Sequence, residues 1–310
     1  MIKRRFMIAL IIFFVFVTNP FALKAEQPDS YLDFAWSLFR SEDFYRAITE
    51  AKRFLFLNPD DPRGVEAYLL IARSYLKIGR YAQAKTSFIK VAAQKDRPGL
   101  AAEAIWELGR CLELLGPRSE ALNYYRQLIE KPPLTPAEAT DIQNKARYRL
   151  GWLLLEDGQW LESKEVLSSV AADHPLGDSA AKLSGQVREG QTLPYVSPVA
   201  AGILSAVVPG AGQIYVHRPV DAALAFGLNA AFLWGTIEAY QKESWAVFTL
   251  LGLIELSLYG GNIYNAVNGG HIHNRKLKKD FIKRLHREHA LRLGYSPVFK
   301  GVFLSWTIIH

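Results

Sequence analysis

Three sets of residues in this chain have side chains that could do chemistry. The first set is polar and lies within apolar stretches: Gln213, Asn229, Glu255, Asn262 and Asn265. At membrane depth such groups must find partners in protein or trapped water, because lipid offers none. They either hold the helices together or line a small polar cavity for a ligand or ion. Glu255 lies near the middle of its apolar run, which makes it the best candidate for a functional carboxylate.

The second set is histidine. His271 and His273 form one His-x-His pair, and His217 is a third imidazole. A metal site normally combines such a pair with a carboxylate or cysteine at a defined spacing, which is missing here. We therefore predict no metal and no cofactor. The sequence also contains no GxSxG, HExxH or phosphate-binding glycine loop, and this favours a protein that is not an enzyme.

The charge of the chain is unevenly distributed. The formal net charge is +7, and half of the residues are hydrophobic. Positive charge is concentrated at residues 3–5 and 271–290, whereas a nucleic-acid-binding domain would present a basic face. We therefore predict no nucleic-acid partner and interpret both segments as determinants of membrane orientation. The single cysteine, Cys111, excludes an intrachain disulfide and has leucine neighbours typical of a core position.

Residues 1–25 have the pattern of a secretory signal peptide. Lys3, Arg4 and Arg5 precede the apolar run Phe6–Val17, and Ala25 offers a cleavage site. An uncleaved anchor is the alternative, because Leu23 is a poor residue for cleavage. Both alternatives predict that the following residues are exported.

A small residue recurs at one position of a repeat in residues 28–176. Its four members are Ala47, Ala84, Ala121 and Ser163. A second small residue precedes each of them by twelve positions: Ala35, Ala72, Gly109 and Gly151. Four positions after each member come Ala51, Phe88, Tyr125 and Leu167. Small residues let paired helices cross closely while larger ones fill the space to the next pair, so the pattern predicts stacked helix pairs.

This pattern resembles the tetratricopeptide repeat family over about half of the chain. The resemblance implies an all-α fold, in which an α-solenoid precedes a small transmembrane helical module. It places the repeat domain at residues 28–190, with about four repeats and a polar capping helix at 179–189. It also implies a role in protein–protein interaction.

The third set of residues follows from the repeat register. Aromatic and basic side chains are expected on the inner face of the solenoid, and such residues dominate binding energy at interfaces. We call this set the predicted groove: Trp36, Arg40, Arg73, Lys77, Trp106, Arg110, Tyr148 and Trp152. The expected ligand is a protein or peptide with carboxylates for the arginines. Alternatively, the aromatic residues pack against the capping helix or the membrane module.

Residues 196–270 contain three apolar runs, at 196–216, 220–240 and 244–264. The second and third are about 21 residues long, enough to cross a bilayer. The first is interrupted by proline and glycine; we expect a kinked crossing, with a re-entrant loop as the alternative. Three crossings would put exported repeats in the periplasm of a bacterial inner membrane and the basic tail in the cytoplasm.

Small residues recur every fourth position in the second run: Ala223, Gly227, Ala231 and Gly235. This stripe predicts a tight helical hairpin and offers a surface for oligomers. In the final segment, 271–310, Leu277, Phe281, Ile282 and Leu285 share one face of a basic helix. We expect this face to rest on an anionic lipid surface, with a solvated helix as the alternative.

The most specific local motif is PGAGQIY, which supplies Pro209, Gly210, Gly212, Gln213 and Tyr215. Its partner motif begins at Gly261 and continues with Asn262. Together they resemble a membrane domain found behind tetratricopeptide repeats in uncharacterised bacterial envelope proteins. That family has no assigned chemistry, so the resemblance implies location and architecture alone.

These observations predict a membrane-anchored periplasmic scaffold that binds a protein or peptide, with a role in envelope assembly. The alternative is an accessory subunit of a membrane transport or insertion complex, in which the membrane module is the active part.

Overall fold

A computed structural model describes residues 28–293 of the chain. All of the regular secondary structure in this range is helix, which confirms the all-α prediction. The chain divides into two compact units between Leu150 and Gly151, and each is described by itself. The predicted signal peptide and residues 294–310 lie outside the described range.

The first unit contains six complete helices and most of a seventh. They are α1 (Pro28–Arg40), α2 (Phe44–Leu57), α3 (Gly64–Lys77), α4 (Tyr81–Ala92), α5 (Pro98–Leu115), α6 (Arg118–Glu130) and α7 (Pro136–Asp157), which continues into the second unit. From α1 to α6, each helix packs on the next one in the chain, and α3 also contacts both α1 and α5. The helix pairs therefore stack as the repeat predicts.

Close helix crossing at the small residues explains this stacking. Ala35 and Ala47 are fully buried where α1 crosses α2, as are Ala72 and Ala84 where α3 crosses α4. In the third pair, a Cβ added to Gly109 would lie 2.7 Å from ring carbons of Tyr125. The tyrosine ring thus fills the space that the glycine leaves open, which confirms the physical basis of the pattern.

The second unit contains the end of α7 and all later helices. These are α8 (Trp160–Ser168), α9 (Gly177–Gln191), α10 (Pro198–Val207), α11 (Ala211–Tyr215), α12 (Pro219–Gln241) and α13 (Trp245–Leu293). The fourth repeat position repeats the crossing: a Cβ on Gly151 would lie 2.5 Å from Leu167 Cδ2. Ser163, which departs from the alanine of the other repeats, is buried and donates to the Gly151 carbonyl at 2.8 Å.

The turns between paired helices differ in their use of glycine. Gly79 and Gly158 have φ of 74° and 84°, a left-handed conformation that favours glycine. Glu42 adopts the same conformation in the first pair, with φ of 63°. Gly116 has φ of −162°, so its backbone is extended and glycine is not required there.

Two helices of the second unit are long and apolar enough to cross a membrane. They are α12 and the first part of α13, and both expose large apolar side chains such as Trp234 and Leu256. The first apolar run forms α10, a turn and the five-residue α11. At ~1.5 Å per residue, the ten-residue α10 is only about 15 Å long. The turn at Pro209 breaks this run, and α10 packs on α13, so the kinked crossing by the first run stays a prediction.

The small-residue stripe of the second run does not form the hairpin interface. Ala223, Gly227 and Ala231 are exposed, and a Cβ on Gly227 would meet nothing within 4 Å. The residues of α12 that are buried are Ala222, Asn229 and Ala239. Of the stripe, only Gly235 comes close to α13, since its Cβ would lie 3.2 Å from Leu251. The face predicted to pack is thus largely open.

Helix α13 continues without a break across residue 270 and docks on the end of the repeats. Phe281, Ile282 and Leu285, predicted to face lipid, are buried. Phe281 packs edge-on against Trp160, with 5.9 Å between ring centroids. The lipid-surface expectation is wrong for this face, because protein covers it.

Polar contacts fix the register of the docked segment. His289 is buried, with Nδ1 2.8 Å from Ser179 Oγ and Nε2 3.0 Å from Gln186 Oε1. Gln186 also donates to Glu288 at 2.6 Å. Arg284 pairs with Glu189 at 2.5 Å. The predicted capping helix, α9, thus carries both an apolar and a polar contact surface for α13.

Candidate functional site

The first candidate site is a line of side chains on the first helices of three successive pairs. The guanidinium of Arg73 on α3 lies 5.7 Å from the ring centroid of Trp36 on α1. The same guanidinium donates to the carboxylate of Glu103 on α5. Trp36 is half-buried against the core, and Phe39 holds it edge-on at 5.7 Å. A cation over an aromatic face, anchored by a carboxylate, gives a preorganised contact surface.

A second arginine on α5 is also paired. Arg110 Nη1 lies 3.0 Å from Glu107 Oε2. Burial raises the pKa of Glu107, and the Arg110 charge offsets part of that rise. Trp106 lies beside this pair and contacts Tyr125, with 6.0 Å between ring centroids. Both groove arginines therefore keep partly exposed guanidinium groups, but neither is an unpaired cation.

The structure distributes the other groove residues unevenly. Arg40 and Lys77 are exposed at the ends of α1 and α3. Tyr148 is buried. Trp152 is buried in the second unit, where its ring stacks on His286 with centroids 4.4 Å apart. The alternative expectation, aromatic packing within the protein, therefore describes Trp152.

Sequence reasoning missed the acidic partners of the groove. Glu103, Glu107 and Glu113 lie on α5 and contact Arg73, Arg110 and Arg149, respectively. Glu113 also accepts from the Tyr125 hydroxyl at 2.7 Å. The spacing of Glu103, Glu107 and Arg110 on one helix was the available signal, since residues three or four apart share a face.

The second candidate region is a buried polar network in the membrane module. Gln213 is fully buried and accepts from Ser205 Oγ at 2.8 Å. Its amide nitrogen donates to the Asn262 side-chain oxygen at 2.6 Å and to the Asn262 carbonyl at 3.0 Å. The hydroxyl of Ser205 also accepts from the Gly212 backbone at 3.1 Å. These contacts join α10, α11 and α13, so the network is structural.

The glycines of the PGAGQIY motif allow this close approach. Gly210 has φ of 92°, and a Cβ there would lie 2.5 Å from the Ala222 carbonyl oxygen. A Cβ on Gly212 would overlap the Ala201 carbonyl oxygen. Pro209 begins the turn between α10 and α11. By contrast, a Cβ on Gly261 would meet nothing within 4 Å, so the partner motif does not need glycine for space.

Other motif residues fasten the ends of the module. The Tyr215 hydroxyl accepts from the Ser197 backbone at 3.1 Å. Asn265 accepts from Arg218 at 2.9 Å, and Arg218 pairs with Asp221 at 2.6 Å. The side-chain amides of Gln213, Asn262 and Asn265 therefore all take part in hydrogen bonds that hold the module together.

Asn229 and Glu255 differ from the other polar residues of the module. Asn229 donates to the Ala225 carbonyl at 2.7 Å, but its Oδ1 has no partner. One carboxylate oxygen of Glu255, Oε2, is buried and also without a partner. Their two helices, α12 and α13, pack together.

The histidines do not assemble a metal centre within the described range. His217 and His273 lie together, with ring centroids 5.2 Å apart. No group of three or more metal-binding side chains occurs among residues 28–293. Cys111 is fully buried, and this burial raises the pKa of its thiol to about 12, with the charge of Glu107 as a second cause.

Comparison with known proteins bears on the repeats. Residues 32–84 and 69–139 match a family model described as tetratricopeptide repeat, and residues 145–177 match another with that description. A comparison with curated proteins gave no match. Among solved structures, the chain is similar to a tetratricopeptide repeat protein from Parabacteroides merdae, at 14% identity over 83% of this chain and 98% of that chain. Their TM-score is 0.41, too low to support an inference.

The family matches agree with the stacked helix pairs. The match at residues 145–177 includes Gly151 and Ser163 of the fourth pair. The resemblance of the PGAGQIY module to a membrane domain family stays a prediction. Residues 32–139 and 145–177 therefore match the tetratricopeptide repeat, and the described helices have the helical-repeat fold that this match implies.

Proposed function

We propose that this protein is a membrane-anchored scaffold whose repeats hold a protein or peptide partner. The observation that carries the proposal is the line Trp36–Arg73–Glu103, which runs across three successive repeats. Tetratricopeptide repeats generally bind protein partners, and the apolar helices of the second unit supply an anchor. Anchoring restricts a partner to a thin layer at the membrane and so raises its effective concentration.

The chemistry of this line defines the partner. Each arginine has five donors, more than one carboxylate can accept. A partner carboxylate can therefore share the guanidinium of Arg73 or Arg110, while an apolar side chain packs on Trp36 or Trp106. The partner that fits is a peptide with acidic and apolar residues in alternation, and it forms no covalent bond with the scaffold.

Paired arginine variants test this proposal. We expect Arg73→Ala/Arg110→Ala to lose at least tenfold in partner capture by cross-linking in cells, because both charge-assisted contacts disappear. Arg46→Ala/Arg53→Ala is the matched control, since these exposed arginines pair with Asp43 and Glu50 on α2. Equal capture by both double variants, with unchanged helix content, would contradict the groove.

We further infer that the module crosses the inner membrane twice, with the repeats and the basic end of α13 together in the periplasm. The short α10 and the contacts of α13 with α9 support a shared side. The predicted signal peptide supports the periplasm. The positive-inside rule opposes this placement for a free basic loop, but here Arg284 is paired with Glu189 and Glu288 in a folded structure.

Reporter fusions distinguish this topology from three crossings. We expect alkaline phosphatase to be active after His310 and green fluorescent protein to fluoresce after Gln241. Three crossings with periplasmic repeats predict the reverse at both positions. Phosphatase that is inactive after His310 would therefore overturn the two-crossing arrangement.

The second candidate is an accessory role in transport or insertion, with the membrane module as the active part. The buried contacts of Gln213 and the unpartnered Asn229 and Glu255 favour it. Complementation separates the two candidates. If the scaffold role is correct, Arg73→Ala/Arg110→Ala abolishes function and Glu255→Gln preserves it. The opposite result favours the membrane module.

A further inference from the structure

The membrane module contains a cavity of about 520 Å³ between α12, α13 and the turn after α10. This volume lies in the range of small-molecule sites. Most of its lining is apolar, and the lining residues Val207, Phe226, Leu233 and Leu256 also expose large parts of their side chains. In a bilayer that exposed surface faces lipid, so a membrane-soluble molecule can enter from the side.

Two polar residues line this cavity, Asn229 and Glu255. Asn229 is only 4% exposed, and its Oδ1 accepts no hydrogen bond. The Glu255 Oε2 is likewise without a donor. Buried polar atoms are normally satisfied, and those that are not require an explanation. Because both atoms are acceptors, an occupant must supply donors.

The carboxylate of Glu255 limits the kinds of molecule that can occupy the cavity. An ionised carboxylate within the hydrocarbon region is costly unless a cation lies beside it. Neither α12 nor residues 245–270 of α13 contain a lysine or an arginine. The other carboxylates of the spans lie at the two ends of α12 and are paired, Asp221 with Arg218 at 2.6 Å and Glu238 with Lys242 at 2.6 Å. An ionised Glu255 therefore needs a cation from outside these two helices.

We propose that the cavity binds an amphiphile with a protonated primary or secondary amine. Its ammonium donates to the Glu255 carboxylate and to Asn229 Oδ1, and its hydrocarbon part lies along Phe226, Leu233 and Leu256. The aromatic ring of Phe226 adds a favourable surface for the cation. This activity is independent of the repeats and of their peptide partner.

Binding of tritiated dodecylamine to the full chain in detergent tests the proposal. We expect saturable binding of one molecule per chain and at least a tenfold loss of affinity in both Glu255→Gln and Asn229→Leu. Glu238→Gln is the matched control, because it removes a carboxylate outside the cavity, and its affinity should equal that of the native chain. Helix content and gel-filtration profile show that the variants fold.

Competition with related probes sharpens the test. Dodecanol has the same chain and a donor but no charge, and dodecyltrimethylammonium has the charge but no N–H donor. We expect both to compete at least tenfold more weakly than unlabelled dodecylamine. Equal competition by either probe, unchanged binding in folded Glu255→Gln, or a dimer whose formation alone fills the cavity would overturn the proposal.

Discussion

The repeats and the membrane module both depend on close helix packing, but they bury different kinds of side chain. In the repeats, Phe88 and Tyr125 are fully buried beside alanine or glycine, and most charged groups lie outside. In the module, Gln213 and Asn262 are buried, and Trp234 and Leu256 are exposed. Water rewards the burial of apolar surface, whereas lipid does not, so close packing and hydrogen bonds must hold the module together. Glycine allows close packing in both regions. In the repeats a side chain occupies the space beside the glycine, and in the module a backbone carbonyl group does.

The variant with the largest expected effect disrupts the close contact between Gly212 and the Ala201 carbonyl group in the module. Gly212→Val would place atoms on the Ala201 carbonyl oxygen, which cannot move like a side-chain tip. We expect a loss of about 3 kcal/mol or more in the free energy of unfolding, measured by thermal melting in detergent. Gly227→Val is the control, because a Cβ there meets nothing within 4 Å. Equal melting temperatures for Gly212→Val and Gly227→Val would show that Gly212 does not lie this close to the Ala201 carbonyl oxygen.

A second variant asks whether the end of α13 belongs to a protein core. Trp152→Ala removes the ring that stacks on His286 and touches His289. We expect a cost of about 3 to 5 kcal/mol and faster tryptic cleavage within residues 275–287. Trp234→Ala, in the exposed surface of α12, should leave the cleavage rate unchanged. Unaltered cleavage in Trp152→Ala would mean that the segment is not docked.

A third variant probes the polar interior. Gln213→Leu leaves the Ser205 hydroxyl without its acceptor and the Asn262 side-chain oxygen without its donor, so we expect a loss of about 2 kcal/mol in the module. The triple variant Ser205→Ala/Gln213→Leu/Asn262→Leu should be more stable than this single variant, because it removes the unpaired groups as well. A triple variant that melts lower than Gln213→Leu would contradict the network as described. Ser257→Ala, at an exposed position, is the control.

The smallest effect lies in the repeats. Ser163→Ala removes the hydrogen bond to Gly151 but restores the alanine found at the other three positions. We expect a change of about 1 kcal/mol or less in the unfolding free energy, measured by denaturant titration. The exposed Ser169→Ala provides the baseline. A change above that size would give Ser163 a larger part in the fourth repeat than its single bond explains.

The sequence predicted the structure best at positions where the packing requires one particular type of residue. The small residues at Ala47, Ala84, Ala121 and Ser163 predicted the helix crossings, because close contact requires them. It was less informative for Phe281, Ile282 and Leu285, since an apolar face on a basic helix suits a lipid surface and a protein surface equally well. The difference depends on contacts with Trp160 and α9, which are distant in the chain.

The predicted groove illustrates the same limit at the candidate site. Arg73 and Arg110 were identified by their position in the repeat, but their partners were not. Glu103 lies thirty residues from Arg73 and meets it only because α3 packs on α5. Trp152 was assigned to the groove by the repeat register, although its side chain is buried. Register thus predicts which helix face a residue occupies, and only the fold shows what already covers it.

Helix α13 is a single rod of 49 residues. At ~1.5 Å per residue it is about 74 Å long, so a tilt of about 5° at one end displaces the other by about 6 Å. In the proposed topology one end of the rod lies in the bilayer, and the other packs on α9 and Trp152. In that arrangement, a change in bilayer thickness that tilts the rod would also move its docked end against the fourth repeat.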